Sequence, residues 1–99
     1  MVRVIYRWQV PPENFDEFKR TWTQTTNGIH ESVSGALGSF MLRSHEDETE
    51  VLTIARWKTL ESWEAFWGNQ NPSQMKGMGA LGKRVSVQVM EEIDDFTRY

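Results

Sequence analysis

Apolar and polar positions alternate at the start of the chain. Val2, Val4, Tyr6, Trp8 and Val10 fall on one side, and Arg3, Ile5, Arg7 and Gln9 on the other. β-Branched and aromatic residues at period two predict a strand over 2–10. Pro11-Pro12 ends it, because proline offers no ladder donor. The period then changes. Phe15, Phe18, Trp22, Thr25/Thr26, Ile29 and Val33 recur at three- and four-residue steps, the apolar stripe of a helix that starts near Glu13. Glu13 and Asp16 suit its positive end, Gly28 weakens its middle, and Gly35 is a stop signal. Two further strands follow, Leu37 to Ser44 and Val51 to Trp57, and the short polar link between them predicts a hairpin. A second helix opens at a Thr59 N-cap, carries Leu60, Trp63, Phe66 and Trp67, and ends at Gly68. Asn71-Pro72 is suited to cap a third, shorter helix, and Arg84 to Met90 reads as the last strand.

The predicted order is β-α-β-β-α-β, a ferredoxin-like α+β fold with both helices on one face of a four-stranded antiparallel sheet. Apolar residues occupy both faces of the strands. Val85, Val87 and Val89 oppose Met90, while Leu37 and Met41 oppose Phe40 and Leu42. Two helices cover only one face, so a second copy of the sheet is expected on the other, as a homodimer. At 99 residues a single domain over 1–99 is expected, since each half would be too small for its own core.

Charge and composition narrow the partners. A net charge of -3 argues against a phosphate-tracking surface, and nucleic acid is set aside. No apolar run approaches the ~20 residues of a membrane helix. The N-terminus reads as a strand and not as a signal peptide. The chain has no cysteine, which excludes disulfides and thiolate metal sites and fits a reducing cytoplasm. The acids at Glu46 to Glu50 and Glu91 to Asp95 read as a solvated turn and tail. The two histidines, His30 and His45, lack HxxxH or HxH spacing, so no metal site is expected. There is no glycine-rich phosphate loop after a strand and no GxSxG elbow.

The stretch "WEAFWGNQNP" holds two of the five tryptophans. Trp63 and Trp67, four apart, share one side of a helical turn, with Phe66 beside them. The pattern fits a small aromatic core and fits a pocket wall equally. Downstream, Met75 and Met78 alternate with Gly77, Gly79 and Gly82. That composition suits a loose flap at a ligand mouth, or a plain loop.

The stretches "RVIYRWQVPPENFDEFKRTW", "SGALGSFMLRS" and "ARWKTLESWEAFW" resemble the antibiotic biosynthesis monooxygenase family of dimeric α+β barrels. The similarity runs from Val2 to Met90 and is most specific at the strand-to-helix corner from Trp57 to Trp63. The resemblance implies a ligand held between the helices and the sheet of each subunit. It also implies oxygenation of phenols or quinols with O2 and no cofactor, or, in another branch, haem degradation. The haem-ligating histidine of that branch falls near Lys76 and Gly77, which cannot ligate, and its strand-one asparagine falls on or near Tyr6. Haem is therefore not expected.

The leading reading is a cofactor-independent monooxygenase acting on a flat phenolic or quinol substrate. Tyr6 would hydrogen-bond a phenol oxygen, His30 would act as base, and Arg43 would stabilise an anion. Trp8, Trp63, Phe66, Trp67 and Asn71 would bind the small aromatic molecule, with Met75 and Met78 at the mouth. The alternative is a non-catalytic dimer that binds a flat hydrophobic ligand or serves as an accessory module. Each polar candidate also has a plainer use: Arg43 as a surface cation, Asn71 as a helix cap, His30 as a surface or core group.

Overall fold

A computed structural model describes residues 1–68 and 75–97. Strand β1 (Val2–Gln9) ends at the prolines, and a 3₁₀ turn (Pro12–Asn14) leads into helix α1 (Phe15–Ser32). Strands β2 (Ala36–Arg43) and β3 (Glu50–Trp57) form the hairpin. Helix α2 (Leu60–Trp67), a one-turn helix α3 (Lys76–Gly79) and strand β4 (Lys83–Glu91) complete the order. Thr59 does cap α2: its Oγ1 accepts the Ser62 N–H at 3.0 Å. Gly35 is required twice over. Its φ is +88°, and a side chain there would begin 2.6 Å from Ser62. The proposed Asn71-Pro72 cap lies outside the described residues.

The sheet order is β2-β3-β1-β4, with every pairing antiparallel. This is the ferredoxin-like α+β arrangement, in which each helical crossover skips one strand. Val2, Val4, Tyr6 and Trp8 of β1 are buried with Val51, Thr53 and Trp57 of β3. Phe18 of α1 and Trp63 and Trp67 of α2 belong to the same core. Within it Trp8 Nε1 donates to Thr53 Oγ1 at 3.0 Å.

Two irregularities overturn the simple alternation of the outer strands. In β2 the register shifts between Ala36 and Ser39, and Leu37 becomes exposed. Met41 packs against the core, while Phe40 and Leu42 lie on the opposite, open face. In β4 the register shifts opposite Arg7 and Trp8, so Ser86 pairs with Arg7 and Arg84 with Trp8. Val85 is the extra residue and is exposed. Val87 still packs inward, but Val89 is 37% exposed.

The open face carries Phe40, Ile54 and Ile5 in one row across three strands, with Leu42 opposite Leu52 beside them. The acidic tail is not freely solvated, contrary to expectation. Glu92 accepts Arg3 Nε at 2.7 Å and an Arg56 guanidinium nitrogen at 2.9 Å, which ties the start of the tail to this face. The bond from Arg3 holds the Glu92 carboxyl below its ordinary pKa. At the start of β3, Glu50 pairs with Arg7 at 2.9 Å.

The glycine-rich segment is also tighter than its composition implies. A Cβ at Gly82 would lie 2.8 Å from Val10 Cγ2, and Met75 and Met78 are buried. Gly82 serves a close approach to the end of β1, and Met78 packs as core. Among the described residues no helix is long and apolar enough to cross a membrane.

Candidate functional site

Tyr6 stands at the middle of β1, paired with Thr53 on one side and Val87 on the other. An even position on β1 faces the helices, so its ring points under α2. There it lies 5.7 Å from the Trp67 ring, and its hydroxyl accepts the Trp63 Nε1–H at 3.2 Å. Trp63 and Trp67 stack on each other at 5.4 Å and 21°. Arg84, turned inward by the β4 irregularity, sets its guanidinium carbon 5.0 Å from the Trp67 ring centroid.

Burial pushes the Tyr6 pKa up to about 12, against the pull of the Trp63 hydrogen bond and the Arg84 charge. Tyr6 is therefore a neutral phenol at ordinary pH. Since its oxygen already accepts from Trp63, its own proton is the group left to donate. Among the described residues no acceptor takes it.

A cleft opens between α1, α2 and the sheet. Tyr6, Trp22, His30 and Trp57 line it, with Phe66, Met75 and Met78. About 470 Å³ of it is free of atoms, part of that continuous with solvent. It is narrow: the centre of a water molecule can occupy only about 50 Å³. A flat ring enters only if side chains move, and Met75 and Met78 are the flexible ones.

Helix α1 presents Trp22, Thr26, Ile29 and His30 to this cleft, because steps of three and four residues return to one face. His30 lies in the last turn, where the helix dipole favours a basic side chain. Its Nδ1 is 2.9 Å from the Ala36 carbonyl oxygen, which can only accept. The proton is thus on Nδ1, and in the neutral ring Nε2 keeps a free lone pair. Trp22 Nε1 is buried without a hydrogen-bond partner.

The cleft brings together Tyr6, His30, Phe66, Met75 and Met78 from the sequence-based set. It does not bring in the others. Trp8 is 1% exposed and packs edge-on against Phe18 at 5.2 Å. Trp63 and Trp67 support Tyr6 from behind and do not form the wall. Arg43 lies over the Phe15 ring at 4.1 Å and does not line the cleft. Asn71 is outside the described residues. Sequence reasoning missed Trp57 as wall, Trp22 as a polar group and Arg84 as an inward cation. Trp22 was legible in the α1 stripe. Arg84 had no local signal, because its direction depends on pairing with β1.

Residues 1–73 match the family model for antibiotic biosynthesis monooxygenases. The chain belongs to the antibiotic biosynthesis monooxygenase family. Solved structures share the fold over almost their whole length. SnoaB, a cofactor-independent oxygenase from Streptomyces nogalater, aligns with a TM-score of 0.74 at 15% identity, over 98% of this chain and 97% of that one. Rv0793 from Mycobacterium tuberculosis gives 0.70 at 17% identity, covering 97% and 98%. A Deinococcus radiodurans protein given the same family name gives 0.73 at 10% identity, covering 100% and 99%. At these identities the likeness is one of fold. No curated protein sequence matches the chain.

In this family member the state of Tyr6 is directly measurable. Tyr99 is the only other tyrosine, so a Tyr99→Phe variant isolates Tyr6. Phenolate absorbance near 295 nm should titrate with a midpoint of about 12, against 10.0 for an ordinary tyrosine. Stability linked to this proton is fully present below the unfolded value and is lost as pH rises through the folded one. The loss reaches roughly 3 kcal/mol for two pKa units. A midpoint near the ordinary value would mean that the ring is hydrated.

Proposed function

We propose that this chain is a cofactor-independent monooxygenase that acts on a flat phenolic or quinol substrate and works as a homodimer. The observation that carries the reading is the pairing, in one aromatic-walled cleft, of a neutral Tyr6 hydroxyl with a His30 ring whose Nε2 has no partner among the described residues. Family membership and the fold shared with SnoaB support it.

The chemistry balances with O2 as the oxidant. His30 Nε2 takes the proton of a ring hydroxyl, giving a phenolate. Tyr6 donates a hydrogen bond to the oxygen that carries the charge. The phenolate passes one electron to O2, and the resulting superoxide bonds to a ring carbon conjugated with that oxygen. Protonation gives a hydroperoxide. Loss of the ring hydrogen with cleavage of the O–O bond then leaves a carbonyl and one water. One O2 is consumed per substrate, one oxygen entering the ring and the other leaving as water. The apolar walls, Trp57, Phe66 and Ile29, orient the ring and exclude solvent from the radical pair.

The test is an O2 electrode with the purified protein and a panel of naphthols, hydroquinones and anthrones. One substrate should take up O2 in a one-to-one ratio. His30→Gln should slow that turnover by about 10²–10⁴, the range for a lost general base. Binding of these rings without O2 uptake would select the second reading, a dimeric binder or accessory module. The narrowness of the cleft opposes ring binding by enzyme and binder alike, and so favours the accessory module.

A further inference from the structure

We propose that Trp22 is a ligand-binding residue whose indole N–H receives an acceptor oxygen of the bound ring, separate from the hydroxyl that meets Tyr6 and His30. The inference rests on the reading of this cleft as the site of a flat aromatic substrate. Its own observation is independent of that reading. Trp22 lines the cleft, and its Nε1–H is buried with no acceptor among the described residues. An indole nitrogen can only donate. Leaving such a donor buried and unpaired is costly, and two core tryptophans avoid it: Trp8 uses Thr53, and Trp63 uses Tyr6. Trp22 alone of these three is left over, and it is the one of the three whose side chain lines the cleft.

The donor and acceptor inventory then says what the ring must carry. Tyr6 and Trp22 both donate, and His30 Nε2 accepts. Tyr6 sits on the sheet and Trp22 on α1, so the two donors approach from different walls. A ring with a single hydroxyl can engage Tyr6 and His30 through one oxygen but leaves Trp22 unpaired. A ring that bears a second oxygen, as a carbonyl or a further hydroxyl, satisfies all three. The structure therefore assigns Trp22 the selection of rings with a second acceptor oxygen over bare hydrocarbon rings of the same shape.

Two probes isolate this preference: 1,4-naphthoquinone, which carries acceptor oxygens only, and naphthalene, which carries none. The chain has no cysteine for the quinone to alkylate. Affinities for the wild-type protein and Trp22→Phe are measured by calorimetry, with urea midpoints on the same samples. Trp22→Phe should weaken naphthoquinone by about three- to tenfold, the worth of one hydrogen bond, and leave naphthalene within about twofold. The unliganded variant should melt at or above the wild-type midpoint, since it removes an orphaned donor. An equal loss for both probes together with a lower urea midpoint would make Trp22 a packing residue and overturn the assignment. So would an unchanged ratio of the two affinities. If the wild-type protein binds neither ring, this inference is overturned, and the proposed function is then judged separately by O2 uptake with the hydroxylated rings. If it binds rings and consumes O2 while the ratio ignores Trp22→Phe, only the Trp22 assignment fails.

Discussion

Trp67→Ala should cost the fold about 3–5 kcal/mol, with Trp63→Ala in the same range and Phe66→Ala well below both. The difference follows from where α2 turns its rings. Trp63 and Trp67 are 8% and 9% exposed, stack on each other, and together close over Tyr6. Removing Trp67 takes away the contact with Tyr6, the stack with Trp63 and the surface on which Arg84 lies. Trp63→Ala also removes the donor that the Tyr6 hydroxyl accepts. A domain of this size holds about 5–15 kcal/mol in total, so either loss is a large share of it. Phe66 is only partly buried. It meets Trp57 at 5.2 Å and its other side lines the cleft. Its truncation should appear mainly as weaker ring binding, by about 0.5–1.5 kcal/mol beyond the lost area. Urea melts of the three variants, with affinities for one flat probe, separate the roles. Three equally severe destabilisations would make all of "WEAFW" core and remove Phe66 from the cleft wall.

Phe40→Lys should turn a dimer into a folded monomer. Phe40 is 44% exposed on the open face, in register with Ile54 and, beyond it, Ile5. Leu42 at 48% and Met90 at 48% extend that apolar surface. In a two-fold interface each substitution counts twice. Burying two unpaired ammonium groups, each at a cost of about 2 kcal/mol or more, weakens the dissociation constant by roughly a thousandfold. Arg3, whose guanidinium carbon is 5.9 Å from the Phe40 ring, adds like charge. Sedimentation at micromolar concentration should show about twice 11.6 kDa for the wild-type chain and the single mass for the variant. Near-ultraviolet circular dichroism should be retained, because Phe40 is no part of the helix-side core. A wild-type monomer at that concentration, or a variant that remains a dimer, would end the sheet-to-sheet arrangement.

Elements with a strong local period were readable from the residues alone. Alternation in β1 places Tyr6 and Trp8 on the helix side, and this is decided by geometry within one strand. The Thr59 cap and the α1 stripe are likewise short-range, and the element order then leaves few topologies open. The outer strands behave differently. Whether Arg84 or Val85 faces inward depends on how β4 pairs with β1, more than 70 residues away in sequence, and no pattern within "KRVSVQVM" marks the shift. The tail looked solvated because its acids stand together. Its ion pairs are to Arg3 and Arg56, which only the closed sheet places under Glu92.

The aromatic cluster shows the same division. Helical spacing puts Trp63 and Trp67 on one side of the turn with Phe66 beside them, a broad aromatic face, and that much is local. Which part of it is core and which is wall was decided by what lies beneath each: Tyr6 and a second indole under one, Trp57 and the cleft under the other. The site itself is a tertiary property for the same reason. A hydroxyl, an imidazole and an indole acquire their roles from partners taken or left vacant elsewhere in the fold. Tyr6 has its oxygen occupied by Trp63, His30 has its Nδ1 proton held by the Ala36 carbonyl, and Trp22 Nε1 has no hydrogen-bond partner among the described residues. Residue types name the candidates, and only the three-dimensional pairing of donors with acceptors shows which groups are left over for a ligand.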